Sequence, residues 1–169
     1  YKKSQDLDLY LRLISSGKKI ANLNKVLSYV YCDPNGISIN QKDRPVYCFD
    51  GDGASLMHMG SMAISGTKDL PNLIHIVFNN GCHESVGGQP TVAQEISLSK
   101  VALSLGYKFA VTVDNEKDFV EIITKAKEFH STSFIEVLVR PGHRADIGRP
   151  TTTPKQNKEG LMETLDQKI

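Results

Sequence analysis

The feature that most limits what this 169-residue chain can fold into is an alternation, from Pro45 onward, of short apolar runs with segments of helix length. Val46 to Asp50 is stopped by Gly51-Asp52-Gly53, Leu73 to Phe78 by Asn79-Asn80-Gly81, and Tyr107 to Val113 and Phe134 to Val139 supply two more runs. Between them, Leu56 to Thr67, Val92 to Leu105 and Glu116 to Phe129 are free of proline and long enough for helices. Strands apolar at successive positions are buried on both faces, which a parallel sheet covered by helices provides. The expected fold is α/β, a mostly parallel sheet with helices on both faces.

The helix starts carry cap signals. Thr91 with Gln94 three residues on has the form of a capping box, and Asp114 before Asn115-Glu116 offers an N-cap with acid in the first turn. Beyond Arg140, PGHRADIGRPTTTPKQ reads as an extended tail ahead of a short helix over Glu159 to Gln167. The first forty residues differ in character. Leu7, Leu9, Leu11, Leu13 and Ile14 share one helix-like stretch closed by Gly17-Lys18-Lys19, and Asp33-Pro34-Asn35-Gly36 is a turn. The expected division is a segment 1–40 that is not an independent domain, followed by a domain over 41–169.

Twenty Lys+Arg against 19 Asp+Glu leave a formal net charge of +1. That balance argues against a nucleic-acid or anionic-membrane binder working by bulk electrostatics, so a bound anion must be held at a local site. Cys32, Cys48 and Cys82 lack Cys-x-x-Cys spacing, which favours neither a disulfide framework nor a zinc cage and points to a reducing cytoplasm. No apolar run approaches the roughly 18 to 20 residues of a membrane span. The chain opens without Met or a signal-like stretch, so a trimmed or partial cytoplasmic chain is expected.

In an open parallel sheet, ligands bind outside the carboxyl ends of the strands, and there the sequence sets Asp52 between two glycines. Gly51 and Gly53 let a ligand approach the backbone, and the N–H groups of Ala54 and Ser55 open the next helix, an arrangement suited to phosphate. Asp52 would repel a bare phosphate, so a cation between them is implied, and Mg²⁺ commonly takes one carboxylate with phosphate oxygens. Twenty-five residues separate Gly53 from Asn79, the span for helix, loop and strand to return to the same edge. An Asn of the Asn79-Asn80 pair offers a neutral oxygen and the Gly81-Cys82 backbone a carbonyl. Either motif alone is a common turn; the pair, each ending an apolar strand, favours a metal and phosphate site.

GDG, twenty-five residues and NN together resemble the diphosphate-binding motif of thiamine diphosphate enzymes. The strings GDGASLMHMGSMAI, NNGCHESVGGQPT and RPGHRADIGRPTTTP resemble the phosphonopyruvate decarboxylase branch, with sulfopyruvate decarboxylases as relatives. The resemblance implies the diphosphate-binding half of the thiamine diphosphate fold, with thiamine diphosphate and Mg²⁺ as cofactors. By it, Gly51, Asp52, Gly53, Ala54, Ser55, Asn80 and Cys82 line the cofactor site. Asp52 and Asn80 hold Mg²⁺ by their side chains and Cys82 by its carbonyl. It further implies a 2-keto acid substrate, phosphonopyruvate, cleaved to phosphonoacetaldehyde and CO₂. It also implies a second, pyrimidine-binding domain or subunit, for which the chain has no room, so inactivity alone is expected, and the apolar surface left open suggests a homo-oligomer.

Other residues keep two readings. His83 and Glu84 either donate protons at the reacting carbon or pin the metal loop. Ser85 to Gln89 is either a cover over the cofactor or a plain connection, and Arg144 and Arg149 either hold a phosphonate or, by preference, tie down the tail. His58, His75 and His130 read as structural, and Met57, Met59 and Met62 as core or subunit-contact residues. Residues 1–40, through SQDLDLYLRLISSGKKIANLNKVLSYVY and DPNGIS, resemble part of a family 2 glycosyltransferase, with Asp6 at its base position and a joint between Asn35 and Ile39. The rival functions are a non-catalytic truncated remnant or binding module of the decarboxylase family and, with less support, a glycosyltransferase fragment.

Overall fold

The computed structural model describes residues 44–68, 70–142 and 151–166. The glycosyltransferase-like stretch, Asp6, Arg144 and Arg149 lie outside them, as does the boundary at residue 40. Four strands, β1 (Val46–Gly51), β2 (Leu73–Asn79), β5 (Phe109–Val113) and β6 (Ser133–Leu138), form one sheet in the order β1-β2-β6-β5. Every pairing in it is parallel, with His75 opposite Cys48 and Phe134, and Glu136 opposite Val77 and Thr112. A two-stranded antiparallel ribbon, β3 (Cys82–His83) with β4 (Gln89–Pro90), lies beyond the end of β2.

The alternation of side chains along the strands assigns the two faces. His75, Val77, Phe134 and Glu136 share one face. Val77 and Phe134 pack there with Met62 of α2 (Met59–Thr67) and with Leu98 and Ala102 of α3 (Leu98–Ser104). The other face carries Ile76, Ile135 and Phe109, and the Phe109 ring meets Phe129 of α4 (Glu116–Phe129) at 5.4 Å. Phe119, Ile123 and Ala126 are the buried residues of α4, spaced at the helical period. Helices thus cover both faces, as the unbroken apolar strands require. Leu73, Ile76, Phe134 and Ile135 are fully buried, and truncating one such side chain to Ala costs about 2–5 kcal/mol.

Several boundaries differ from expectation. The first helix starts at Asp52, with α1 (Asp52–Met57) capped by extended Gly51, and His58 interrupts it before α2. Thr91 and Gln94 form no capping box. The helix begins at Leu98, where the Ser97 hydroxyl accepts the Lys100 N–H at 3.3 Å, and Thr91 is used elsewhere. Asn115 rather than Asp114 caps α4, because its Oδ1 reaches the Asp118 N–H at 2.9 Å. The C-terminal helix α5 spans Pro154–Asp166 and starts five residues before Glu159. Gln156 and Thr153 bond each other's backbone N–H reciprocally, a capping box with Pro at the first helical position. The sheet belongs to a unit of residues 25–141 and α5 to a second unit. No helix among the described residues is long and apolar enough to cross a membrane.

Of the three expected structural histidines, His75 is buried in β2, His58 marks the helix break, and His130 caps α4 with φ of 49°, in the left-handed region. Met62 is core, whereas Met57 is 74% exposed. A side chain other than Gly in the left-handed region costs about 1–2 kcal/mol, part of which Gly returns through unfolded-chain entropy. His130→Gly is expected to raise the unfolding free energy by about 0.5–1 kcal/mol in urea denaturation; a decrease would show that the His130 ring makes a stabilising contact.

Candidate functional site

The carboxyl ends of β1 and β2 lie side by side, because the two strands pair in register from Val46 opposite Leu73 to Gly51 opposite Phe78. Each strand hands its last residues to a polar turn. Asp52 stands at the first position of α1 and is 2% exposed, and the Thr91 hydroxyl donates to its Oδ2. Thr91 Oγ1 in turn accepts the Ala93 N–H at 3.3 Å, which fixes the segment after β4 against the start of α1. Among the described residues no cationic side chain pairs with Asp52.

The loop after β2 folds over the same point. Asn80 Oδ1 accepts the Cys82 N–H at 3.0 Å, and Asn80 Nδ2 donates to Glu84 Oε2 at 3.2 Å. The His83 ring lies on the α-carbon of Gly53. A Cβ there would fall 2.3 Å from His83 Nδ1, so only glycine admits this approach. Asp52, Gly53, Asn80, Cys82, His83 and Glu84 are therefore brought together. Ser55 is buried and turned away: its hydroxyl donates to Asp50 Oδ2 at 3.0 Å, leaving its backbone N–H and that of Ala54 in the first turn of α1. Gly51 is exposed, and its N–H donates to Asp50 Oδ1 at 2.9 Å. Among the described residues no three His, Cys, Asp or Glu side chains converge as a metal cage. The donors at this corner are one carboxylate, one amide oxygen and backbone, the oxygen-rich set Mg²⁺ takes, rather than the His and Cys set of zinc.

Burial first, and then the carboxylates of Glu84 and Asp52, push the Cys82 thiol up from its ordinary value. The two acids thus bear on one spot even with Asn80 between them in sequence. A polar chain runs inward from the same corner. Asp50 Oδ2 stands 3.6 Å from His75 Nε2, and His75 Nδ1 meets the Tyr107 hydroxyl at 3.1 Å. Burial is the chief cause that pushes the Tyr107 phenol up, so it stays an O–H donor across the physiological range.

Sequence reasoning missed four members of this corner. Thr91 has the form of a cap in the sequence, and Asp50 only ends an apolar run. Asn79 is fully buried and bonded to Glu136, whereas the sequence motif points to its neighbour Asn80. The signal for Glu136 was present, since a lone acid in the run Phe134 to Val139 is anomalous for a strand buried on both faces.

Residues 34–137 match the family model of the thiamine pyrophosphate enzyme, C-terminal TPP binding domain. The chain is 35% identical over 113 residues to a phosphonopyruvate decarboxylase of Streptomyces viridochromogenes, covering 67% of this chain and 28% of that protein. It is 31% identical over 112 residues to a sulfopyruvate decarboxylase subunit beta of Methanothermobacter thermautotrophicus, covering 66% and 57%. In fold it resembles the benzoylformate decarboxylase of Polynucleobacter necessarius, with a TM-score of 0.53, 18% identity, and 63% and 22% of the two chains covered. The glycosyltransferase likeness of residues 1–40 finds no support in these matches.

Cys82 supplies a reporter for the corner. Its alkylation by iodoacetamide, followed by peptide mass mapping, is expected to half-saturate at higher pH than an unstructured cysteine. Glu84→Gln removes one repelling charge and is expected to speed the reaction at pH 8 by about threefold. An unchanged or slower rate would place the Glu84 carboxylate away from the thiol.

Proposed function

The chain belongs to the thiamine pyrophosphate enzymes through their C-terminal TPP-binding domain, and from that premise we propose that it is the diphosphate- and Mg²⁺-binding half of a 2-keto acid decarboxylase acting on phosphonopyruvate. The observation that carries the site assignment is the buried Asp52 carboxylate. One charge-assisted hydrogen bond stabilises about 1.5–3 kcal/mol, whereas withdrawing a carboxylate from water costs several kcal/mol. Thr91 alone leaves Asp52 in deficit, and a divalent cation would make up the difference.

In this reading Asp52, the Asn80 side-chain oxygen and the Cys82 carbonyl hold Mg²⁺, and the backbone of Gly51 to Ser55 receives the diphosphate. Thiamine diphosphate, when bound, supplies the electron sink that lets a 2-keto acid lose CO₂. The chain's own residues position and exclude. Thr91 fixes the Asp52 carboxylate, and His83 closes over Gly53. The Glu84 bond to Asn80 favours the loop-pinning role for Glu84, and His83 is left as the candidate proton donor. Phosphonopyruvate is preferred because the phosphonopyruvate decarboxylase relative is matched at the higher identity.

The chain spans 28% of one decarboxylase relative and 57% of the other. We place the aminopyrimidine-binding half on another domain or subunit, a reading supported by a relative that is itself named a subunit, and self-association through exposed apolar side chains such as Met57, Val86 and Val92 belongs to the same proposal. A cytoplasmic setting belongs to the same proposal, since the cysteines Cys32, Cys48 and Cys82 lack the spacing of a disulfide framework.

Titration calorimetry of the full chain with thiamine diphosphate is expected to show binding only when Mg²⁺ is present. Asp52→Ala should weaken it by at least about tenfold, the loss of a metal-ligand carboxylate. Equal binding in EDTA, or by the variant, would refute the site assignment.

A further inference from the structure

Glu136 is 2% exposed in β6, in the interior of the sheet, and among the described residues no cationic side chain pairs with it. A buried carboxylate without a cation is destabilising, so its retention calls for a task that a neutral residue would not perform. Its two oxygens accept from two neutral donors. Asn79 Nδ2 donates to Oε1 at 2.7 Å, and the Thr112 hydroxyl donates to Oε2 at 2.7 Å. Ser99 Oγ lies 2.9 Å from Thr112 Oγ1 and, with the Thr112 proton committed to Glu136, serves as donor to it.

The Asn79 amide has a donor end and an acceptor end, and its orientation matters. Nδ2 also reaches the Ala93 carbonyl at 3.3 Å, so both of its hydrogens face inward. Oδ1 therefore faces the loop, where it accepts the Gly81 N–H at 3.1 Å. Turned over, the amide would set NH₂ against the Gly81 N–H and an oxygen against the carboxylate. A carboxylate can only accept, so Glu136 permits one orientation alone.

Gly81 has φ of 72° and lies between Asn80 and Cys82. Ala93, the other partner of Asn79, has its N–H on Thr91, which holds Asp52. Resting on the reading that Asp52, Asn80 and Cys82 hold the metal, we propose that Glu136 is a positioning residue for that site. Acting through Asn79, it locks the Gly81 N–H, so that the Asn80 oxygen and the Cys82 carbonyl are set before the metal arrives, and it ties that loop to the segment that holds Asp52. Glu136 touches neither metal nor cofactor in this role. Such outer partners typically change metal affinity by 10–100-fold.

The test uses the full ¹⁵N-labelled chain and two readouts: amide hydrogen exchange without metal, and Mn²⁺ affinity measured by electron paramagnetic resonance with thiamine diphosphate present. Glu136→Leu removes the acceptor and is expected to speed Gly81 exchange and weaken Mn²⁺ by about tenfold each. Glu136→Gln keeps the shape but no longer excludes the turned Asn79 amide from its own side. With the Ala93 carbonyl and the Gly81 N–H still holding the amide, it is expected to shift both readouts by only about threefold while Ile76 and Val77 in the adjacent strand exchange as before. If Glu136→Leu does not fold, the Gln variant decides. Wild-type values for Gly81 and Mn²⁺ in the variants, or faster exchange at all amides together, would overturn the proposal. Failure of the wild-type chain to bind Mn²⁺ with thiamine diphosphate would instead count against the functional reading, and Gly81 exchange in the metal-free chain would still decide the role of Glu136.

Discussion

A carboxylate withdrawn from water at the junction of β1 and α1 is the constraint on which the arrangement of this molecule turns. Asp52 is buried because β1 ends at Gly51 and α1 begins at once, leaving no exposed linker between strand and helix. The chain answers with a hydroxyl from Thr91, some forty residues later in sequence, and this places the segment after β4 over the end of β1. The loop after β2 has to close the remaining side, and it does so with the His83 ring lying on the bare α-carbon of Gly53. Three separate turns are thereby fixed around one acid. The donors they present are oxygens and backbone N–H groups, a set that suits a hard divalent cation bridging to phosphate.

Beneath that corner the sheet carries polar groups where hydrophobic side chains would serve stability better. Asp50, His75 and Tyr107 run inward from β1, and Asn79, Glu136 and Thr112 cross from β2 to β5. Every one of these residues except Tyr107 is on a strand of the sheet, and they form two separate sets of polar contacts, Asp50 with His75 and Tyr107, and Asn79 and Thr112 with Glu136. Fully satisfied buried networks are rigid and specify one geometry, whereas partly satisfied ones are costly. The bonds of Glu136 to Asn79 and Thr112 tie β2, β6 and β5 together near their carboxyl ends, and a site built on strand ends needs such precision.

Much of this was legible in the residues. Runs such as Leu73 to Phe78 show burial on both faces and hence a parallel sheet, and α4 coincides with the expected Glu116 to Phe129. The pairing of GDG with NN locates the corner, because strand ends adjacent in the sheet are also ends of apolar runs in the sequence. What escaped has a common cause: a side chain with two possible partners is assigned locally when its true partner is distant in sequence. Thr91 has the form of a cap but bonds Asp52, and Asn115 takes the cap that Asp114 also suits. Glu136 shows the opposite case, an anomaly visible in the sequence whose meaning needs the position of Asn79. The capping box at Thr153 and Gln156 is readable locally and begins α5 five residues before Glu159.

In the proposed reading a divalent metal and a diphosphate meet at the ends of β1 and β2. Paramagnetic broadening of the ¹⁵N–¹H spectrum by Mn²⁺ with thiamine diphosphate measures that location directly. The amide signals of Gly53 to Ser55 and of Asn80 to Cys82 are expected to vanish first, while those of Ser133 to Ile135 at the opposite end of β6 persist. Broadening centred instead on the exposed acids Asp114, Glu116 and Asp118 at the start of α4, with Gly53 and Asn80 unaffected, would contradict it.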